Sequence, residues 1–596
     1  MGSEKRILDH LIYLYGGEES HRILPDLQAI IDQYSRKIAA IPHRQSGKSH
    51  NLAQKGAVLI TYGDQLQDED FPPLQSLQAF LEANLFTEIE SVHILPFYPY
   101  SSDDGFSVID FRKVDPKLGS WDDIKTLSQV YELMFDAVVN HISSQSRWFK
   151  GFLHGEQPYK DYFITVDPKT DLSLVVRPRT SPLLTPFETA EGIKHVWTTF
   201  SADQIDLNFS NPKVLLELID LLLFYVEHGA QIIRLDAIAF IWKEIGTPCI
   251  HLPQAHRIVK LFRAVIDVVA PWVTLITETN VPHEENISYF GDPLPIQDNG
   301  SYEIIGDQAH LVYQFPLAPL VLHTFHSGDA SILTDWASGL TLPYTQTAYF
   351  NFIASHDGIG IRPAEGLLNE NQIQSLVERT KAHGGRISSR TKPDGSTSVY
   401  ELNITLYDAL NDPNNPQPEI DVNRFIASQA IMLSLAGVPG IYIHSLFGSR
   451  NCHACVAETG RSRSINRQKF QRSEIQELLS NPNNHKSQVF SRMQQLLQIW
   501  RQQPAFNPNS PQKVMDLHKQ IFSLLRMTPD SSQMILCMVN VSNQPITFDL
   551  TLAELRITDD NPFIDLISNQ VFEPFMGNLP LQLRSYQPLW LTSKVT

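Results

Sequence analysis

The chain has 596 residues, 42% of them hydrophobic and 19% charged, with a formal net charge of -18. That length exceeds one compact domain, and the apolar share excludes a disordered chain. The acidic excess repels nucleic acid and anionic membranes, so neither is expected as a partner.

The first 52 residues read as a helical extension, with Ile7, Leu8, Leu11, Ile12 and Leu14 at helical spacing, ending in a polar loop from Arg44 to Asn51. No apolar stretch there has the length of a signal peptide, and a cytoplasmic location is expected. From Ala57 onward, short apolar runs alternate with longer helical patterns, as in repeated strand–helix units around a parallel sheet. Eight runs read as strands: 57–62, 91–96, 133–140, 230–236, 273–278, 311–315, 348–353 and 440–444. Eight is the number that closes a (β/α)8 TIM barrel, an α/β fold. The run Val214–Val226 reads as a buried helix, opened by Asn211-Pro212 and stopped at Gly229. Glu217 and Asp220 interrupt it, and it is too short to span a membrane.

Two segments exceed a normal strand–helix repeat. Residues 142–207 follow strand three and 358–422 follow strand seven; both read as inserted subdomains at the barrel's C-terminal rim, where substrate sites are assembled. The barrel then occupies 53–141, 208–357 and 423–505. After the Pro-rich linker Gln503–Pro511, alternating runs at 521–527, 534–541, 546–550 and 563–567 read as a C-terminal β-sandwich over 512–596. Of four cysteines, Cys249, Cys452, Cys455 and Cys537, only Cys452 and Cys455 form a CxxC. It lacks the second ligand pair of a zinc site, so a plain reduced pair is expected.

Polar residues gather where the apolar strands end. Asp136, Asn140 and His141 close strand three, Arg234 and Asp236 strand four, and Glu278 strand five; His356 and Asp357 follow strand seven. One strand-end carboxylate is ordinarily a cap or a turn. Three, with two histidines, on separate strands of one barrel point into one mouth. Glycoside transfer with retention needs an ionised carboxylate to attack the anomeric carbon and a protonated one, about 5–5.5 Å away, to release the leaving oxygen. Arg234, two residues before Asp236 and on the same face, is placed to keep that carboxylate ionised. Glu278 ends an apolar run, and desolvation there raises its pKa.

The segments Asp136–His141, Ile233–Ala237, Ile276–Glu278 and Ala354–Asp357 resemble the four signature regions of the α-amylase clan. Asp103-Asp-Gly-Phe106, Trp197–Gln204, Gly358-Ile-Gly360 and Arg463–Arg467 are similar to the sucrose-phosphorylase subfamily within it. The resemblance implies Asp236 as nucleophile, Glu278 as acid/base and Asp357 as transition-state stabiliser. It also implies that Asp103, His141, Arg234, His356 and Arg463 hold the glucosyl hydroxyls and the nucleophile, with Phe106 and Phe200 as an apolar platform and Gln204 beside it.

In this subfamily one acceptor site serves phosphate and the released group. Arg177-Pro-Arg179 in the first insertion and Tyr400-Glu401 in the second match its loops, and Arg179 falls where an arginine meets phosphate. Glu401 departs from the Gln that sucrose phosphorylases tend to carry. Arg177–Phe187, the following His195–Phe200, and Thr277–His283 look more like glucosylglycerate phosphorylases. Arg177, Arg179 and Thr180 suit a glycerate carboxylate. The expected partners are therefore a small glucoside, inorganic phosphate and glucose 1-phosphate, with no cofactor and no resident metal. Sucrose, glucosylglycerol and sucrose 6-phosphate phosphorylases share the same glucosyl residues and stay open as alternatives. A plain α-glucosidase fits the anion-friendly loops poorly. A non-catalytic carbohydrate-binding relative would be expected to lack one of the three carboxylates. Structural calcium in the first insertion, and monomer against homodimer, are open.

Overall fold

The computed structural model describes residues 3–41, 56–298, 301–392, 395–555 and 561–593; the polar stretch Arg44–Asn51 lies outside them. Eight parallel strands close a barrel: β1 (Val58–Thr61), β2 (Ser91–Ile94), β3 (Glu132–Ala137), β4 (Ala230–Leu235), β5 (Thr274–Thr277), β6 (Leu311–Tyr313), β7 (Ala348–Asn351) and β8 (Val438–Tyr442). They neighbour one another in chain order, and β1 pairs with both β2 and β8. Each falls within one of the eight expected runs or within two residues of it. The runs are continuously apolar because helices cover the barrel outside and side chains fill it inside, so no strand face meets water.

The helix Pro212–Glu227 is buried on most sides. Asn211 caps it, accepting from the Lys213 N–H at 3.1 Å. Part of its cover is α2 (Gly17–Ala39), while α1 (Ser3–Tyr15) packs on the helix Pro253–Val269; Ile7, Leu11, Ile23, Leu27, Tyr34 and Ile38 of the pair are buried. Polar ties fix that clamp: Arg6 to Asp267 at 3.3 Å, Lys37 to Glu227 at 3.2 Å, and the Tyr15 hydroxyl donating to the Phe209 carbonyl at 2.9 Å. No helix among the described residues is long and apolar enough to cross a membrane.

The segment after β3 carries the hairpin Leu184–Thr189/Gly192–Trp197; the segment after β7 carries a helix, Glu370–Ala382, and the hairpin Arg386–Thr391/Thr397–Asn403. A bridge between Arg177 and Thr391 joins the two insertions above the barrel mouth. The C-terminal unit packs a six-stranded sheet and a two-stranded one around its own apolar core, a small sandwich. Four of its strands lie where the alternation predicts. Gln512–His518, Val571–Phe572, Asn578–Leu583 and Pro588–Ser593 were not anticipated.

The cysteines correct one expectation. Cys452 and Cys455 are joined in a disulfide rather than reduced. Cys452 caps the helix His453–Thr459, and the first turn brings the two Cα atoms to 5.3 Å, inside the span a disulfide bridges. Cys249 and Cys537 are free and buried.

Candidate active site

Strand register builds the centre of the site. Asp136 on β3 pairs with Arg234 on β4, and Arg234 with Ile276 on β5. The ladder runs one step past the strand ends: the Asp236 N–H donates to the Ala137 carbonyl and the Glu278 N–H to the Leu235 carbonyl, each at 3.1 Å. Arg234 and Asp236, two apart, face the same way. One buried guanidinium therefore serves three carboxylates: it donates to Asp136, donates to Asp236 at 2.7 Å, and lies 3.9 Å from Glu278. His93 on β2 lies 2.7 Å from the other Asp136 oxygen. Immediately after Asp236, Ala237 takes a left-handed φ of 49°, a strained conformation for a residue with a Cβ. That twist aims its N–H at Glu278, which accepts at 3.0 Å.

The three carboxylates differ in charge state for physical reasons. Burial, reinforced by the charges of Asp236 and Asp357, pushes Glu278 up to about 7 against the pull of Arg234. Burial also raises Asp236, although Arg234 and His141 oppose it. Arg234 acts in the direction its place in the sequence suggests, towards the ionised form, against a larger effect of burial. It makes the closer contact with Asp236 than with Glu278, which favours the anion on Asp236 and the proton on Glu278. Asp357 goes the other way. Burial acts to raise it, but Arg463 at 2.6 Å, with His356 and Arg467 nearby, holds it well below the usual carboxylate range. One proton donor flanked by two anions is the set that double-displacement glycosyl transfer requires.

The loop after β2 is bent to deliver two groups. Asp103 and Asp104 have φ of 54° and 48°, and Gly105 has 107°. A Cβ on Gly105 would stand 2.5 Å from the Pro96 carbonyl oxygen, so only glycine fits. The bend places Asp103 in the cavity and Phe106 flat on the His356 ring, centroids 4.8 Å apart. His141 and Gln204 both donate to the Phe106 carbonyl, at 2.9 and 3.2 Å, and Phe200 packs on His141. Arg467, outside the expected set, ties this loop to the loop after β7: it donates to Asp104 at 2.6 Å and to the His356 carbonyl at 2.8 Å.

Beneath the first insertion, the oxygens of Asn140 and Asp206 meet the ammonium of Lys243 at 2.7 and 2.6 Å. The Phe240 carbonyl accepts from the same ammonium. A fixed internal cation thus occupies this oxygen cluster. Among the described residues, no group of three or more His, Cys, Asp or Glu side chains could hold a metal ion.

The opposite wall of the cavity is arginine-rich. Arg177 and Arg179 line it with Tyr400, Glu401 and Arg463, and so do Arg362, Arg390 and Asn280, which sequence reasoning passed over. Arg179 lies over the Tyr400 ring, 4.8 Å from its centroid, and near Phe200. Arg177 donates to the Ser181 carbonyl. Neither has a carboxylate partner among the described residues, whereas Arg362 pairs with Glu285 at 3.3 Å and Arg390 with Glu365 at 2.7 Å. Two expected acceptor residues are placed differently. Thr180 is exposed and outside the lining, because the turn carrying it faces solvent. Glu401 lines the cavity but is buried and engaged through both oxygens by Arg463, at 2.5 and 3.1 Å. Arg463 thereby joins the Asp357 side of the cavity to the Tyr400 loop. The other expected residues, Asp103, Phe106, His141, Phe200, Gln204, Arg234, Asp236, Glu278, His356 and Asp357, line this same cavity.

Residues 87–321 match the α-amylase catalytic-domain family. The chain is 51% identical to the glucosylglycerate phosphorylase of Allomeiothermus silvanus over 90% of this chain and 93% of that one. It is 46% identical to that of Spirochaeta thermophila over 98% of both. Among solved structures, the sucrose 6F-phosphate phosphorylase of Thermoanaerobacter thermosaccharolyticum superposes with a TM-score of 0.70 at 26% identity, covering 84% of this chain and 95% of that one. With near-complete coverage at these identities, the chain belongs to the glucosylglycerate phosphorylase family of α-amylase-type enzymes.

Proposed function

We propose that this protein catalyses the reversible phosphorolysis of 2-O-α-glucosylglycerate to α-glucose 1-phosphate and glycerate. In the first displacement, an Asp236 oxygen attacks the anomeric carbon while Glu278 gives its proton to the departing glycerate oxygen. The bond to glycerate breaks and a β-glucosyl ester of Asp236 forms. In the second, a phosphate oxygen attacks the same carbon from the vacated side, its proton passing to the Glu278 carboxylate, and the ester bond breaks to restore Asp236. Two inversions return the α-configuration. Asp357, kept ionised by Arg463, stabilises the positive charge that develops on the sugar. Asp103, His141, Arg234 and His356 fix the glucosyl unit against Phe106 and Phe200. The observation that carries the reading is the wall facing these carboxylates. Its uncompensated Arg177 and Arg179 suit an anion on both legs of the reaction, phosphate on one and glycerate on the other.

The test is synthesis from glucose 1-phosphate with glycerate, fructose, glycerol and fructose 6-phosphate supplied in turn, scored by phosphate release. Glycerate is expected to give the highest kcat/KM. Preference for fructose would refute the glycerate assignment, and no phosphate release with any of them would refute a phosphorylase.

A further inference from the structure

Arg362 and Asn280 stand beside Tyr400 in the acceptor half, and neither has a task in the chemistry above. Arg362 begins the short turn Arg362–Ala364, directly after the two-residue strand Ile359–Gly360 that pairs with Leu402 and Glu401. The Ile361 N–H donates to the Tyr400 carbonyl at 3.0 Å, so one small sheet sets both Arg362 and Tyr400. The Arg362 side chain is 15% exposed and faces the cavity. Its carboxylate, Glu285, is outside the lining and is shared with His251 at 3.1 Å. Burial and the neighbouring Arg390 both weigh against its charge, and Glu285 only partly offsets them. A cation in that position gains from a further anion.

Asn280 complements it. Its Nδ2 donates to the Tyr400 hydroxyl at 3.3 Å, while its Oδ1 is buried with no donor. A Cβ on Gly360 would stand 2.8 Å from that oxygen, so the glycine is what leaves room for the amide. A buried amide oxygen without a donor is costly and is satisfied by a ligand hydroxyl.

We infer that Arg362 and Asn280 form the specificity subsite for the organic acceptor, Arg362 taking its carboxylate and Asn280 Oδ1 accepting from its free hydroxyl. This rests on the phosphorylase reading above. A short hydroxy acid supplies both groups at once. Glycerol lacks the carboxylate, and D-lactate lacks the primary hydroxyl.

The experiment compares kcat/KM for D-glycerate, D-lactate and glycerol, with glucose 1-phosphate as donor, in the parent, Arg362→Gln, Arg362→Lys and Asn280→Ala. In Arg362→Gln the glycerate-to-glycerol ratio should fall roughly tenfold to a hundredfold, the loss of one charge-assisted hydrogen bond, and Arg362→Lys should restore part of it. Asn280→Ala should instead lower the glycerate-to-lactate ratio, by about tenfold, and leave the glycerate-to-glycerol ratio near that of the parent, since glycerol keeps the hydroxyl. If both ratios stay at parental values, or all three acceptors lose equally, the subsite assignment is wrong. If the parent itself does not prefer glycerate, the failure belongs to the glucosylglycerate reading.

Discussion

The two halves of the cavity are built by different means. In the glucosyl half, Asp136, Arg234, Asp236 and Glu278 come from three adjacent strands locked in register, and the three carboxylates share the Arg234 guanidinium. In the acceptor half, Arg177, Arg179, Arg362 and Arg390 come from two insertions, and two of them have no carboxylate partner among the described residues. Register leaves the first half little freedom, since one residue of slip would turn every functional side chain away from the mouth. The second half can exchange residues without disturbing a barrel strand. The proposed reaction thus draws its carboxylates from the barrel, and the proposed acceptor contacts come from the loops.

The sharpest test of that division removes the proposed nucleophile. Asp236→Asn should lower turnover roughly 10^4-fold or more, whichever acceptor is supplied, with the fold retained by circular dichroism. Residual activity that varied with the acceptor would break the division. Arg179→Gln lies across the cavity and should act selectively. Its kcat/KM for phosphate should fall roughly tenfold to a hundredfold, with a smaller effect on transfer to neutral glycerol. An equal loss for both would show that Arg179 positions the glucosyl half instead.

Glu278 serves both halves, so its titration should appear with every acceptor. Its pKa near 7 means that kcat/KM for glucosylglycerate phosphorolysis should fall about tenfold per unit above that pH, as the proton donor is lost. The same shift bears on stability. The folded state holds this proton more tightly than the unfolded chain, so the stabilisation is complete below the unfolded value near 4.5 and is lost as pH rises towards 7. Glu278→Gln, which cannot ionise, should therefore melt higher than the parent at pH 8, and the gap should close near pH 4. A constant gap would mean that Glu278 is not desolvated.

What the sequence made legible follows the same boundary. The eight strands and the strand-end carboxylates could be read because short-range pattern determines them: apolar runs of strand length, with Asp136, Asp236 and Glu278 at or near the ends of the third, fourth and fifth. Asp103 and Phe106 were reached through a motif, although the left-handed pair that aims them is invisible in composition. Arg362, Arg390 and Asn280 carry no such signal. Asn280 and Tyr400 meet across 120 residues, and nothing near Arg362 separates it from a solvated loop arginine. Lys243 reaches Asn140 across 103 residues for the same reason. Glu401 was recognised by position, but its partner Arg463 lies 62 residues on, in the loop after β8, and nothing near Glu401 announces the pair.

Arg463 is where the halves meet, and the disulfide lies just upstream of it. The helix His453–Thr459 leads into the turn Ser462–Asn466; the Cys452 N–H donates to the Ile465 carbonyl at 2.9 Å, and the Thr459 hydroxyl donates to Ser464 at 2.7 Å. Those bonds hold the turn whether or not Cys452 and Cys455 are joined. A crosslink closing so short a loop removes little freedom from the unfolded chain, about 2 kcal/mol at most. Cys452→Ser with Cys455→Ser should therefore lower thermal stability slightly and leave kcat within about twofold of the parent, since neither cysteine lines the cavity. Cys249 and Cys537 are buried, so titrating accessible thiols before and after mild reduction reports on this pair alone. A large loss of activity in the double serine variant would mean that the crosslink, not the hydrogen bonds, positions Arg463. The glucosyl half would then depend on the crosslinked loop after β8, and its independence from the acceptor side would end at Arg463.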